Sequence, residues 1–333
     1  MEQRRFSGKG HWYHETQSNH SQTDVLPLVP EAANVDDRFL LDLALPDDIA
    51  ASCCGWLTPA RTLCRLLFPL DTPVNRLHTL SAYDRLSTAL TVSQACGVQR
   101  LCNHYAALLA PLPGPDSSRE SNRRLAEITQ YARQLASSPD VIDDKAQTQL
   151  DEVGLTTYDI VLINQIIGFT GFQARAVAVF QALLGHPVRW LPGHHIQPHT
   201  LPLSFTRWTA TQPVVELKYA SAVQLEALSR WQAEPALSAL TPVLCHEPML
   251  LNLTGEILVN HPQSEAQPSA SLSAAHALLL TSPDRFSAAQ LTPLTEAGIP
   301  PGKAINLLTH GAFNGWLDRL RVALGKGITT RFT

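Results

Sequence analysis

The sequence predicts an all-α protein made of one helical unit used twice. Three observations predict it. The end of the chain repeats its middle at an offset of 144 positions: Ser138-Pro139-Asp140, Glu152, Gly154, Phe169, Gly171 and Arg175 meet Ser282-Pro283-Asp284, Glu296, Gly298, Phe313, Gly315 and Arg319 without a gap. Apolar residues recur at 3.6-residue spacing, and no segment alternates as a strand would. A chain of 333 residues, 44% hydrophobic and 16% charged, has the length of about two domains.

The elements follow in order. Residues 1–35 carry few large aliphatics and many His, Ser, Gln and Asn, and read as an arm. The first unit, 36–186, is expected to hold helices at 51–68, 83–110, 119–136, 145–152 and 157–184. Gly114 to Ser118 reads as a loop between two of them. Thr156 caps the last helix, with Asp159 as an imperfect capping-box partner, and Gly185 and Pro187 end it. The proline- and histidine-rich stretch 187–202 is a connector, and 203–327 is the second unit. Its long helix is expected to start at Pro300-Pro301, where proline suits the first turn, and to stop at Gly325.

Charge and targeting narrow the partners. A net charge of −4, with scattered Lys and Arg, leaves no basic footprint, so no nucleic acid is expected. The polar N-terminus has no apolar signal region and six cysteines make no disulfide framework, so a cytoplasmic protein is expected. The mostly apolar run 160–184 carries Asn164, Gln165, Gln173, Arg175 and Gln181. An arginine inside a membrane costs at least ~2.5 kcal/mol, so this run is expected as a buried helix or subunit interface and no membrane as a partner.

Glycines 168, 171, 311 and 315 fall inside expected helices, where each costs about 1 kcal/mol against alanine. Close helix approach is the simplest requirement for them. Phe169, Phe172 and Arg175 lie along one stripe, repeated by Phe313, Trp316 and Arg319. An arginine stacked on an aromatic and paired with a carboxylate is expected as a structural clamp.

The Ser-Pro-Asp turn, the short helix ending in Glu-x-Gly and the long helix with Phe-x-Gly-Phe-x-x-Arg resemble the C-terminal part of the carboxymuconolactone decarboxylase-like, or AhpD-like, unit. Residues 80–86 and 93–105, which include Ser93-Gln94-Ala95-Cys96-Gly97-Val98-Gln99-Arg100-Leu101-Cys102-Asn103-His104-Tyr105, resemble its active-site helix region. The whole resembles tandem oxidoreductases that join two such units. The resemblance implies two AhpD-like helical domains, a small-molecule substrate or ligand, and a homo-oligomer assembled through the long helices.

Peroxidase members of that family use Cys-x-x-Cys-x-x-x-His, with a glutamate some three turns earlier. The spacing places both thiols and the imidazole on one helix face, where the helix start lowers the thiol pKa. Aligning His104 with the family histidine puts Gly97 and Arg100 at the thiol positions, and sliding by one residue brings only Cys96 into place. Asp84 is the nearest acid, because Arg85 or Leu86 holds the matching position. Cys96 and Cys102, if helical throughout, are separated by about 9 Å of rise against a disulfide limit of about 7 Å, unless Gly97 breaks the helix.

The second unit has only 12 residues between Val259 and Leu272, too few for an active-site helix, and is expected to be structural. His195 and His199 have zinc-binding spacing, but Pro192, Pro198 and Pro202 oppose a helix, so no metal or cofactor is expected. His11, His14 and His20 share the arm with Trp12 and Tyr13, and His310 is expected as a core residue. The candidate catalytic residues are therefore His104, Cys96, Cys102 and Asp84, with Arg100 and Tyr105 binding substrate. The expected function is an oxidoreductase with a degenerate site; the alternatives are a non-catalytic binding relative and an acid-base decarboxylase or lyase.

Overall fold

The computed structural model describes residues 30–69, 71–188, 196–197, 207–261 and 269–328. Residues 1–29, with the histidines of the arm, and His194, His195 and His199 of the connector lie outside the described residues, whereas residues 30–35 of the arm are described. The helices are α1 (Asp47–Leu67), α2 (Ala82–Cys96), α3 (Gln99–Leu109), α4 (Arg119–Ser137), α5 (Asp144–Glu152), α6 (Thr157–Leu183), α7 (Ala222–Trp231), α8 (Thr241–Leu244), α9 (Pro248–Asn260), α10 (Ala270–Thr281), α11 (Ala288–Glu296) and α12 (Pro301–Leu324). The all-α class holds.

Local chemistry explains most boundaries. Thr156 and Asp159 form a complete capping box at α6, and Asp159 also accepts from the Thr79 amide at 2.9 Å and hydroxyl at 2.8 Å. Ser81 and Asp84 do the same for α2. Where one helix is expected over 83–110, the chain makes two. Gly97, at φ 70° and ψ 11°, is a left-handed C-cap that ends α2 and turns the chain into α3. Two short strands correct the expectation of none: β1 (Arg207–Ala210) pairs antiparallel with β2 (Gly325–Ile328). Four residues are too few for an alternating pattern to be read.

A set of elements recurs at one spacing. The 3-10 turns Pro139–Val141 and Pro283–Arg285, α5 and α11, and α6 and α12 each begin 144 positions apart. Ser138 and Ser282 share φ −150°, with ψ 66° and 64°, before the two turns. Gly154 at φ 85° and Gly298 at φ 78° close the two short helices in the left-handed region that glycine enters without penalty.

The long helices α6 and α12 pack against each other at the centre of one continuous apolar core. Gly168 lets them approach, since a Cβ there would sit 1.9 Å from the Trp316 ring, and Gly311 does the same for α12 against α10, where a Cβ would sit 2.2 Å from the His276 ring. The arginine clamps exist, but they hold carbonyls rather than a carboxylate. Arg175 donates to Gly171 O at 2.8 Å and Leu280 O at 2.7 Å. Arg319 donates to Gly315 O at 2.9 Å, Leu135 O at 3.2 Å and Ala136 O at 3.0 Å. Each guanidinium thus sits at the C-terminal end of a helix of the other half, where exposed carbonyls and the helix dipole favour a cation.

Length and apolarity alone would let α6 cross a bilayer, yet 89% of its apolar window is buried inside the chain. A helix apolar all round is what a large core demands. Within the chain α6 is covered by α12 and α2.

Candidate functional site

The segment 99–105 carries most of the expected site, and its side chains face two ways. One direction is inward, toward a strap of chain at residues 30–43. His104 is buried, with Nδ1 2.6 Å from Ala32 O. A carbonyl can only accept, so Nδ1 carries the proton and Nε2 the lone pair. Burial pushes the imidazole pKa below its usual value and Arg38 adds to this, while the Ala32 carbonyl and Asp42 pull the other way.

Arg100, one turn earlier, donates Nε at 3.2 Å and Nη2 at 2.5 Å to Leu41 O. Tyr105 is fully buried and donates its hydroxyl to Gln173 Oε1 at 2.6 Å. Gln173 in turn donates to Arg38 O at 2.8 Å and Phe39 O at 2.9 Å. Three expected site residues therefore hold backbone carbonyls of the strap, directly or through one amide. Unpaired, those carbonyls would each cost about 1–3 kcal/mol.

The thiols are reduced. Cys96 ends α2 as a buried residue and Cys102 lies half-buried on α3; both are free, as are Cys53, Cys54, Cys64 and Cys245. Burial pushes the Cys102 thiol up to about 12, with the neighbouring Cys96 adding to it. A thiol held that high is almost wholly protonated at neutral pH, the opposite of a poised nucleophile.

Asp84 is employed elsewhere. Its carboxylate accepts from the Ser81 amide at 3.1 Å and hydroxyl at 3.0 Å and faces Arg124 at 3.6 Å, and it shares no hydrogen bond with His104. The acid that acts on His104 is Asp42. Sequence reasoning missed Asp42, the Ala32 and Leu41 carbonyls and Gln173 as partners of this site. Only Gln173, a polar residue on an apolar helix, signalled a buried role.

The other direction is outward, into a cleft of about 440 Å³ between the start of α3 and the second half. Val98, Ala178, Pro187, Val188, Pro283 and Phe286 supply its apolar wall. Gln99, Arg100, Asn103, Gln181, His186 and Asp284 supply polar groups, and Gln99 Nε2 donates to Asn103 Oδ1 at 2.7 Å. The Gly97 break creates the cleft's floor: a Cβ there would lie 2.9 Å from Asp284 Cβ, so the α2–α3 turn seats directly on the Ser-Pro-Asp turn of the second half.

Among the described residues, no group of three His, Cys, Asp or Glu side chains is placed to hold a metal ion. No family model matches this chain, and no curated protein matches it either.

Proposed function

We propose that the chain is a duplicated relative of the AhpD-like unit that has left thiol chemistry behind and binds a small molecule in the cleft at the start of α3. One observation carries the reading. His104, Arg100 and Tyr105 are bonded to the strap or to Gln173, whereas the cleft beside them sets further polar groups, Gln181 and His186 among them, against an apolar wall. Its volume falls in the usual range of small-molecule sites, about 300–1,000 Å³, and its mixed lining suits a ligand with an apolar body and amide-binding groups.

A cytoplasmic location belongs to this reading, because all six cysteines are unpaired, as a reducing compartment keeps them. Self-association belongs to it too, through outer apolar residues such as Leu217, Tyr219 and Met249 rather than through α6.

The test has two arms on the full chain. With dithiothreitol and cumene hydroperoxide, turnover is expected to equal the buffer blank; turnover abolished by Cys96→Ser or Cys102→Ser would restore the oxidoreductase reading. In a thermal-shift panel of amino acids, nucleosides and short carboxylic acids, a ligand at a hundred times its Kd stabilises by about 2.7 kcal/mol. That gain is expected to vanish in Gln181→Trp, which fills the cleft; a gain that survives places the ligand elsewhere.

A further inference from the structure

The strap that covers His104 has a fixed end and a light end. At the fixed end, Phe39, Leu40 and Leu41 are fully buried, and the Phe39 ring packs on Trp56, Phe169 and Phe172 at centroid distances of 6.3, 5.7 and 5.6 Å. At the light end, the 3-10 turn Pro30–Ala33 lies on α3, and its recorded side-chain tie to that helix is the bond from His104 to Ala32 O. Asn34 and Asp36, between the two ends, are exposed. Extracting the fixed end would empty part of the core, whereas raising the light end as far as residue 36 breaks the Ala32 bond and the 3.3 Å bond from the Asp36 amide to Asp42, both of which water replaces, and lifts the half-buried Val35 from the edge of the core.

A strained brace sets the angle between these ends. Leu41 and Asp42 both stand at φ 56°, a left-handed conformation unfavourable for side-chain-bearing residues and doubly so in succession. Arg100 holds the Leu41 carbonyl, and the Asp42 carboxylate accepts the amides of Asp36 at 3.3 Å and Asp37 at 2.8 Å. The carboxylate therefore grips the base of the light end. Strain persists only where surrounding contacts over-determine it, and here those contacts converge on the cover of one imidazole.

We propose that residues 30–36 are a hinged lid over His104, with Ala32 O standing where the oxygen of a ligand would go. With the lid raised, a neutral imidazole presents an Nδ1–H donor, so the uncovered site takes a molecule bearing a carbonyl or carboxylate oxygen. This site lies on the covered side of α3 and does not depend on the outward cleft: Gln181→Trp leaves it untouched.

The experiment labels histidines of the full chain with diethyl pyrocarbonate at pH 7, with hydrogen exchange followed by mass spectrometry in parallel. His261, equally buried but in the second half, reports global unfolding in the same sample. In the wild type, His104 is expected to be modified at least tenfold faster than His261, and the 30–36 amides to exchange at least tenfold faster than those of 39–41. Asp42→Gly, which removes the grip and suits the left-handed backbone, should raise His104 labelling about tenfold more with His261 unchanged; Asp42→Asn, which keeps an acceptor, should stay near wild type. Labelling of His104 no faster than His261 in the wild type would overturn the lid even if the glycine variant fails to fold, as would a rise of both histidines together in that variant.

Discussion

Arg175 in the first half and Arg319 in the second do the same work for each other's half, yet the helices beneath which they lie are covered by unlike partners. Arg175 reaches Leu280 O at the end of α10, and Arg319 reaches Ala136 O at the end of α4, carbonyls that are themselves 144 positions apart. Between those helix ends, Ile196 N donates to Thr281 O at 3.0 Å and Gln197 N to Ser137 O at 2.9 Å, again the same spacing. The correspondence stops at the outer layer. On α6 lies α2, which leads into α3; on α12 lies α1, borrowed from the start of the first half, with Trp56 donating to Asn306 Oδ1 at 2.8 Å and Asn306 donating to Ser52 O at 3.1 Å. The elements that recur at this spacing form the scaffold, and the helix that carries His104 has no counterpart among them.

Removing a clamp is the largest expected break. Arg319→Met should cost about 3–4 kcal/mol, since it strands the Leu135 and Ala136 carbonyls at the end of α4 and removes a third bond to Gly315 O. Arg175→Met, with two bonds, should cost about 2. The double variant should lose more than the sum of the singles. Burial first, and then the neighbouring Arg175, lower the Arg319 pKa to about 10, so the two cations repel; each single deletion already relieves that repulsion, and the double variant gains it only once. Urea denaturation of the four proteins measures the cycle; strict additivity would show that the clamps act independently.

The second break concerns the helix crossing, where the two copies differ by one trade. Gly168 meets Trp316, while the positions 144 residues away from each hold Ala312 and Phe172. Gly168→Ala should cost about 2–3 kcal/mol by driving a methyl into the indole, since overfilled cores resist. Trp316→Phe makes both crossings alike and should recover most of that loss in the double variant, although it costs stability alone through a smaller ring. Thermal melts of the two singles and the double check the rescue. A double variant as unstable as the sum would mean that the backbones, not the ring, set the approach.

These comparisons also show what could be read without coordinates. Periodicity and punctuation locate α4, α5, α6 and α12 within a residue or two, because caps such as Thr156–Asp159 and stops such as Gly185 are local chemistry. Gly97 is visible as a glycine, but whether it interrupts a helix depends on the Asp284 turn that it meets, 187 positions away in the chain. The strap is illegible for the same reason. Leu41 takes a left-handed angle that its own preferences oppose, and only Arg100, Gln173 and the core beneath Phe39 hold it there. The candidate residues of α3 were picked out by their spacing, but their use was not, since His104, Arg100 and Tyr105 bond to carbonyls, which every residue has and no motif marks. Borrowing of α1 by α12 is a contact between residues 250 apart and leaves no local trace either.

The smallest expected effect separates the halves by pH. Where the first half fills its core with Ala132 and Ile166, both fully buried, the second has His276 and His310 at the same spacing. His261 completes the group, stacked on Trp56 at 4.6 Å and on His310 at 5.7 Å. Burial pushes all three below the usual histidine value, His261 to about 3, with His310 adding to its shift. A depressed folded-state pKa means that the unfolded chain takes up the proton first. Stability is therefore complete above about pH 6.5, the ordinary histidine value, and falls as pH drops from there toward 3. At 1.36 kcal/mol per pH unit, His261 alone removes about 2 kcal/mol between pH 7 and 5. His261→Phe keeps the stack on Trp56 and should flatten that slope by about this amount in urea titrations at pH 7, 6 and 5. His104→Phe should flatten it less, because both imidazoles hold a backbone carbonyl but Asp42 pulls the His104 pKa back up whereas His310 pushes that of His261 further down. Equal flattening by the two substitutions would show that His104 is as starved of water as the stacked histidines of the second half.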